Sequence, residues 1–130
     1  MIEFHLDTRS GVAPYLQLVR QVRQALRLGL LHEGDQLPTV KEVVAQMAIN
    51  PNTVLKAYRQ LEHEGLVGVR QGVGTFVTRT LAGASLAAHG PLRTDLRRWL
   101  AKARLAGLDD ESIEALFQTT FRSAAEEDVA

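Results

Sequence analysis

The chain has 130 residues, of which 45% are hydrophobic and 23% charged, so it fits one compact globular domain or one domain with a short appendage. It contains no cysteine, which excludes disulfide bonds, thiolate metal sites and cysteine nucleophiles. The net charge is zero, because 15 basic residues balance 15 acidic ones, so the overall charge gives no argument for a nucleic-acid partner.

The charge is distributed only slightly unevenly along the chain. Residues 1–80 contain nine Lys or Arg and seven Asp or Glu, a net charge of +2, and residues 81–130 contain six and eight, a net charge of −2. An argument for DNA must therefore come from local placement. We expect neither a signal peptide nor a membrane helix, and hence a cytoplasmic protein, because no apolar run approaches the roughly 20 residues that span a bilayer.

The first predicted elements are a strand and a long helix. Residues 2–6 alternate between apolar and polar, which is the period of a half-buried strand. From Pro14 onward the period becomes helical, and proline suits the first turn of a helix. The apolar positions of this helix are Tyr15, Leu18, Val19, Val22, Leu26 and Leu30. Arg20, Arg23 and Arg27 lie on the opposite face, either as a solvated basic stripe or as phosphate contacts.

Two short helices separated by a tight turn are predicted next. Thr39 with Glu42 three residues later is a capping-box pattern, so the second helix begins there and ends near Ala48. Asn50 can cap a third helix, and Pro51 can occupy its first position. The gap between the two helices is therefore only a few residues long.

A two-stranded wing follows the third helix. Residues 67–70 and 75–78 have the pattern of short strands, and Gln71–Gly74 joins them as a glycine-containing turn. Phe76 and Val77 are expected to pack the wing, with Phe76 buried. Two short helices, a tight turn and a hairpin in this order predict a winged helix–turn–helix, whose last helix enters the major groove of DNA.

The remainder of the chain predicts a linker and two helices. Residues 81–91 are rich in Ala, Gly and Ser, which is typical of a linker. Asp109 can cap the second tail helix. Residues 124–130 are expected to fray. The predicted fold is thus mostly α with a small β wing: residues 1–80 form the DNA-binding domain, 81–91 a linker and 92–130 a two-helix dimerisation tail. A two-helix hairpin cannot bury both its apolar faces alone, so a homodimer is expected. The predicted dimerisation residues are Leu96, Trp99, Leu100, Ala103, Ile113, Leu116, Phe117 and Phe121.

Candidate DNA contacts lie on the outward face of the third helix and on the wing. Asn52, Lys56, Arg59 and His63 form one helical stripe, in which Asn can pair with adenine and Lys or Arg with guanine. Thr53 lies beside the helix start, where a hydroxyl and free N–H groups suit a phosphate. No acidic residue interrupts positions 50–60. The full set of predicted DNA contacts is Lys41, Asn50, Asn52, Thr53, Lys56, Arg59, Arg70, Gln71, Gly72 and Val73.

Four segments of the chain carry a family resemblance. They are Leu37–Glu42, Asn50–Val54, Leu61–Leu66 and Gly72–Val77, and together they resemble the GntR family of bacterial repressors. The short two-helix tail, with Asn-Pro-Asn-Thr-Val in the third helix, is similar to the YtrA subfamily. The resemblance implies homodimers that bind palindromic operators in double-stranded DNA and, for YtrA-type members, control of ABC transporter genes.

The chain departs from the family pattern at three positions. Many GntR members have Ser at position 39 and Arg at 41, whereas this chain has Thr39, which can still cap, and Lys41, which keeps the charge but loses the guanidinium fork. Many also have Arg at position 55, where this chain has Leu55. A base contact made by that arginine cannot be transferred, so the resemblance does not imply an operator sequence.

Other function classes find less support in the sequence. A winged-helix module for protein–protein contact is the alternative, but it would need an acidic or apolar third-helix face. An enzyme is not expected, because no paired carboxylates, nucleophile–base set or phosphate-binding loop is evident. We expect no cofactor, and no metal at His63, because its neighbours Glu62 and Glu64 point in different directions on a helix. An effector site is expected to be small, interfacial or absent.

Overall fold

The computed structural model describes residues 2–81 and 86–129. It divides into two compact units, Met1–Leu86 and Ala87–Ala130. The elements are α1 (Pro14–Arg27), α2 (Val40–Met47), α3 (Pro51–His63), β1 (Val67–Arg70), β2 (Gly74–Val77), α4 (Leu86–Leu105) and α5 (Asp110–Val129). The predicted fold class, mostly α with a small β wing, is confirmed.

Local capping sets the starts of α2 and α3. The Thr39 side chain accepts a hydrogen bond from the Glu42 N–H at 3.1 Å, and the Glu42 carboxylate accepts one from the Thr39 N–H at 3.3 Å, which is the predicted capping box. Asn50 caps α3 as predicted. The turn between the helices depends on Ala48, whose φ of +53° is left-handed and costs a non-glycine residue roughly 1 kcal/mol.

The core of the first unit lies between the three helices and the base of the wing. Its fully buried side chains include Leu18, Val19, Val22, Leu26, Leu37, Val43, Val54, Leu61, Leu66 and Val77. Tyr58 of α3 is also buried, and its hydroxyl donates to the Pro38 carbonyl at 2.5 Å, which ties α3 to the segment before α2. Burial, and secondarily the negative charge of Glu42, raise the pKa of Tyr58 well above its usual value, so this hydroxyl stays protonated.

The wing is a three-segment structure rather than an isolated hairpin. Strands β1 and β2 are antiparallel, with Val67 opposite Val77 and Arg70 opposite Gly74. Residues 34–37 bond to the other edge of β2, through Leu37 N–H to Thr75 O at 2.9 Å and Val77 N–H to Asp35 O at 2.8 Å. Strand β2 spans Gly74–Val77, one residue earlier than the predicted 75–78.

Phe76 is half-buried, so the prediction that it would be buried is wrong. Successive side chains of a strand point to opposite faces, and Val77 takes the face that packs on the core. The Phe76 ring lies on the other face, beneath the Arg70 guanidinium at 4.6 Å from the ring centroid.

The predicted strand at residues 2–6 is absent from the described structure. Its backbone is held by side chains of α1: the Gln21 amide accepts from the His5 N–H at 3.1 Å and donates to the His5 carbonyl at 2.6 Å. Gln17 makes the same pair of hydrogen bonds to Asp7, at 2.8 and 2.9 Å. Phe4 is buried, so the alternation reflects burial of an extended segment without a partner strand.

Three boundaries differ from the prediction. Helix α1 ends at Arg27, so Leu30 lies beyond it and is exposed, while Leu31 is buried instead. Residues 86–91 of the predicted linker are helical, and residues 82–85 lie outside the described residues. Residues 124–129, which are predicted to fray, belong to α5. The domain boundaries at 80 and 92 stay predictions.

Glu64 connects α1 to the end of α3. The Arg23 guanidinium donates to both of its carboxylate oxygens at 2.5 Å, and Gln60 Nε2 donates at 3.0 Å. Arg23 is therefore engaged within the fold, which disfavours a phosphate contact for it. Burial by itself would raise the pKa of Glu64, but the hydrogen bonds from Arg23 and Gln60 and the nearby positive charge lower it overall.

We expect Glu64→Gln to lower the free energy of unfolding by about 1 kcal/mol at neutral pH, since it removes a partly buried, charge-assisted contact. A carboxyl whose folded pKa is depressed stabilises the fold above its unfolded pKa, and this stabilisation is lost as the pH falls through the folded value. Urea unfolding at neutral pH and again below the ordinary carboxyl pKa should therefore show the two proteins converging in acid. Glu62→Gln, at the exposed neighbouring carboxylate, is the control. A difference that does not change with pH would contradict this role.

Candidate nucleic-acid interface

The outward face of α3 presents the polar side chains that the sequence singled out. Asn52, Lys56 and Arg59 are exposed, whereas Val54 and Leu61 on the other side of the helix are fully buried. The remaining predicted contacts Lys41, Asn50, Arg70, Gln71, Gly72 and Val73 are also exposed, and Thr53 is half-buried. All ten residues belong to the first unit, so the exposed α3 face and the wing tip are parts of one compact body.

Hydrogen bonds inside the chain already occupy the start of α3. The Asn50 side chain accepts from the Asn52 N–H at 2.8 Å, and the Asn50 carbonyl accepts from the Thr53 N–H at 2.9 Å. The N–H groups of Asn52 and Thr53 are therefore not free for a phosphate, and the Thr53 hydroxyl is the group left for that role. Asn50 acts first as the helix cap.

The Lys56 side chain extends from the exposed face of α3 toward α1. Its ammonium nitrogen is 4.0 Å from the centroid of the Tyr15 ring, which is a cation–π distance. Tyr15 is half-buried and packs against the core of the first unit. The helical period alone does not predict this contact, because it places Tyr15 only on the apolar stripe of α1.

A side chain from outside the hairpin holds the wing tip. Gln36 Nε2 donates to the Val73 carbonyl at 3.2 Å, and Gln36 also bridges Phe76 in the sheet. Gly74 lies directly beside this amide: its φ is +146°, and a Cβ atom there would be 2.5 Å from Gln36 Nε2. No sequence pattern indicates this role for Gln36, because it lies 37 residues before Val73 in the chain.

Gly74→Ala should lower the free energy of unfolding by about 2 kcal/mol and weaken DNA binding. The backbone at this position has a φ that alanine rarely adopts, and the added Cβ would displace the Gln36 amide from the Val73 carbonyl. Thermal unfolding and a binding titration would measure both effects. Gly90→Ala in α4 is the matched control, since a Cβ there meets nothing within 4 Å. Unchanged stability and DNA affinity for Gly74→Ala would show that the amide does not hold the wing.

The second unit exposes an unusual amount of apolar surface. Leu96, Leu116 and Phe117 are each 44% exposed and Phe121 is 66% exposed, and the Phe117 and Phe121 rings stack at 5.9 Å. A groove of about 350 Å³ is lined by Leu96, Trp99, Leu116, Phe117, Thr120, Phe121 and Ala124. Ala103 and Ile113, two of the predicted dimerisation residues, are already buried in the single chain, so they are not available to contact a partner directly.

The described residues contain neither a metal-binding cluster nor a membrane-spanning helix. Within residues 2–81 and 86–129, no three His, Asp or Glu side chains are grouped as a metal site would require. Over the same part of the chain, none of the helices combines the length and the apolar character needed to cross a bilayer.

The sequence is similar to a family of known proteins. The family model for bacterial regulatory proteins of the gntR family matches residues 14–77, from the start of α1 to the end of β2. The repressor YtrA of Bacillus subtilis is 31% identical over 112 residues, which cover 83% of this chain and 84% of that protein.

Two solved structures share the fold. YtrA from Sulfolobus acidocaldarius, a GntR-family transcription factor, superposes with a TM-score of 0.55 at 28% identity, covering 75% of this chain and 97% of that one. The DNA-binding domain of AraR in complex with operator ORX1 superposes with a TM-score of 0.52 at 25% identity, covering 59% and 96%. The first unit of this chain is thus similar in fold to a domain that was solved in complex with operator DNA.

Proposed function

The chain belongs to the GntR family of bacterial regulatory proteins, and on that premise we propose that it represses transcription by binding a palindromic operator as a homodimer. The observation that carries the proposal is the exposed polar face of α3, which has no acidic residue between positions 50 and 60 and shares a compact unit with a wing bearing Arg70. A major groove about 12 Å wide admits one such helix.

The side chains divide into groups that read bases and groups that contact the backbone. Asn52, Lys56 and Arg59 are assigned to base edges, because Asn can pair with adenine, and Lys or Arg with guanine, through two hydrogen bonds each. Lys41, Arg70 and the Thr53 hydroxyl are assigned to phosphates, which fix the position of a protein on the duplex but carry no sequence information. Gln71–Val73 at the wing tip would approach the minor groove.

A homodimer is supported by the apolar face of the second unit. Large side chains such as Leu96, Phe117 and Phe121 lie together and stay solvent-exposed in one copy, and a contiguous apolar patch of this kind marks an association surface. A second copy related by a two-fold axis would cover this face with the same residues. It would also bring two α3 helices to the two halves of a palindrome.

We place this activity in the cytoplasm and assign no reaction to the protein, because its relatives are transcription regulators. We expect any effector site to be small and interfacial. The groove between α4 and α5 supports this, because its volume of about 350 Å³ is near the lower end of ordinary ligand pockets, which are about 300–1,000 Å³.

The salt dependence of binding to duplex DNA tests the proposal. Lys41 and Arg70 from two protomers would neutralise about four phosphates, so log K against log salt should fall with a slope of about −3.6 or steeper. Fluorescence anisotropy on a labelled duplex at several salt concentrations would measure it. A flat salt dependence, or no binding at low salt, would contradict phosphate contact and favour a protein partner.

A further inference from the structure

The contact between Lys56 and Tyr15 joins two helices across the edge of the proposed DNA-binding face. Lys56 is exposed on α3, and its ammonium nitrogen lies 4.0 Å from the centroid of the half-buried Tyr15 ring on α1. The electron-rich face of an aromatic ring attracts a cation at this distance. A flexible lysine side chain is thus given a defined location before any ligand is present.

The segment that carries the Tyr15 ring is held by hydrogen bonds and by packing. Tyr15 is the second residue of α1, directly after Pro14, and the next two N–H groups bond back to the Ala13 carbonyl at 3.0 and 3.2 Å. The Gln17 side chain also donates to the Val12 carbonyl at 2.9 Å, which fixes the segment leading into the helix. Packing of Tyr15 against the core completes its support.

We propose that Tyr15 is a positioning residue for DNA binding, whose ring face holds the Lys56 ammonium at the DNA-facing edge of α3. The proposal rests on the DNA-binding role proposed for Lys56. Only part of the ammonium group faces the ring, so N–H donors remain for a phosphate or a base edge. Holding the side chain in place beforehand reduces the conformational entropy that binding would otherwise cost.

The wing repeats this arrangement. The Arg70 guanidinium carbon lies 4.6 Å from the centroid of the Phe76 ring, and Arg70 is exposed. Two cations assigned to DNA, one on α3 and one on the wing, are therefore each held over an aromatic ring. The Tyr15 contact is the more informative of the two to test, because Phe76 also belongs to the sheet.

A double-mutant cycle separates positioning from a general structural effect. The proteins are wild type, Tyr15→Leu, Lys56→Ala and the double variant, titrated by anisotropy against a labelled duplex that the wild-type protein selects from a random pool. Tyr15→Leu should weaken binding by about two- to five-fold in the wild-type background. It should have almost no further effect once Lys56 is alanine, because the residue it positions is absent.

Tyr15→Phe is the conservative variant, and it should bind like wild type because it keeps the ring face. The positioning role is wrong if Tyr15→Leu weakens binding equally in both backgrounds, or if Tyr15→Phe is as weak as Tyr15→Leu. Melting temperatures of all variants identify any loss of folding. If Lys56→Ala binds like wild type while wild type binds DNA, the inference fails and the proposed function stands; if wild type does not bind duplex DNA, the proposed function itself fails.

Discussion

Arg59→Ala should weaken operator binding by about thirty-fold or more while leaving the free energy of unfolding within roughly 0.5 kcal/mol of wild type. Arg59 is exposed on the outward side of α3, so its removal deletes no core packing. A bidentate contact to guanine contributes about 1–3 kcal/mol of discrimination, and the homodimer would lose it at both half-sites. Binding titrations on a selected operator and on an unrelated duplex would measure the loss, which should be larger on the operator.

Arg122→Ala is the matched control for Arg59→Ala. Arg122 is an exposed arginine on α5 in the second unit, outside the winged helix–turn–helix, so its removal changes the net charge equally. Its operator affinity should stay within about two-fold of wild type, since surface charges away from the site act only weakly through screened solvent. Wild-type affinity for Arg59→Ala would remove Arg59 from the reading face.

Phe117→Glu should raise the dissociation constant of the dimer by about a hundred-fold or more. Phe117 stacks on Phe121 and is 44% exposed in one copy, so it lies at the centre of the apolar face proposed to meet the partner. A central aromatic residue of an interface commonly contributes about 2 kcal/mol or more, and a two-fold interface contains it twice. Sedimentation velocity over a range of protein concentrations would report the shift from dimer to monomer.

Leu105→Glu introduces the same charge at a different exposed apolar position. Leu105 is 89% exposed at the end of α4 and does not line the groove between α4 and α5. It should leave the mass distribution unchanged. A Phe117→Glu protein that sediments like wild type would show that the second unit associates through another surface or not at all.

Local rules predicted the elements that position the reading face. The starts of α2 and α3 follow from Thr39 with Glu42 and from Asn50 with Pro51, because caps depend on residues within one helical turn. The exposed stripe of α3 follows from helical periodicity once those ends are known. Two segments of the family resemblance, Leu37–Glu42 and Asn50–Val54, contain these helix starts. The similarity to YtrA of Bacillus subtilis establishes the family.

Predictions failed where a local pattern has more than one structural cause. Alternation of apolar and polar residues at 2–6 fits a paired strand, but it also fits an extended segment that packs against α1. In this chain Gln21 of α1 holds the segment at His5, and Gln17 holds it at Asp7. The apolar period of α1 continued to Leu30, but Gly29, with a φ of +70°, is a helix-ending residue that the sequence displayed and the prediction overlooked. The contacts of Tyr15 with Lys56 and of Gln36 with Val73 could not be predicted, since the two residues of each pair lie far apart along the chain.

Selection of bound sequences from a random pool of duplex DNA would show whether the protein binds an operator as a dimer. We expect enrichment of an inverted repeat whose half-sites are centred about 10 base pairs apart, or a multiple of that spacing, because two α3 helices related by a two-fold axis would read the same groove on one side of the duplex. A pool that shows no enriched sequence, or only a single unrepeated site, would contradict the dimeric operator-binding function.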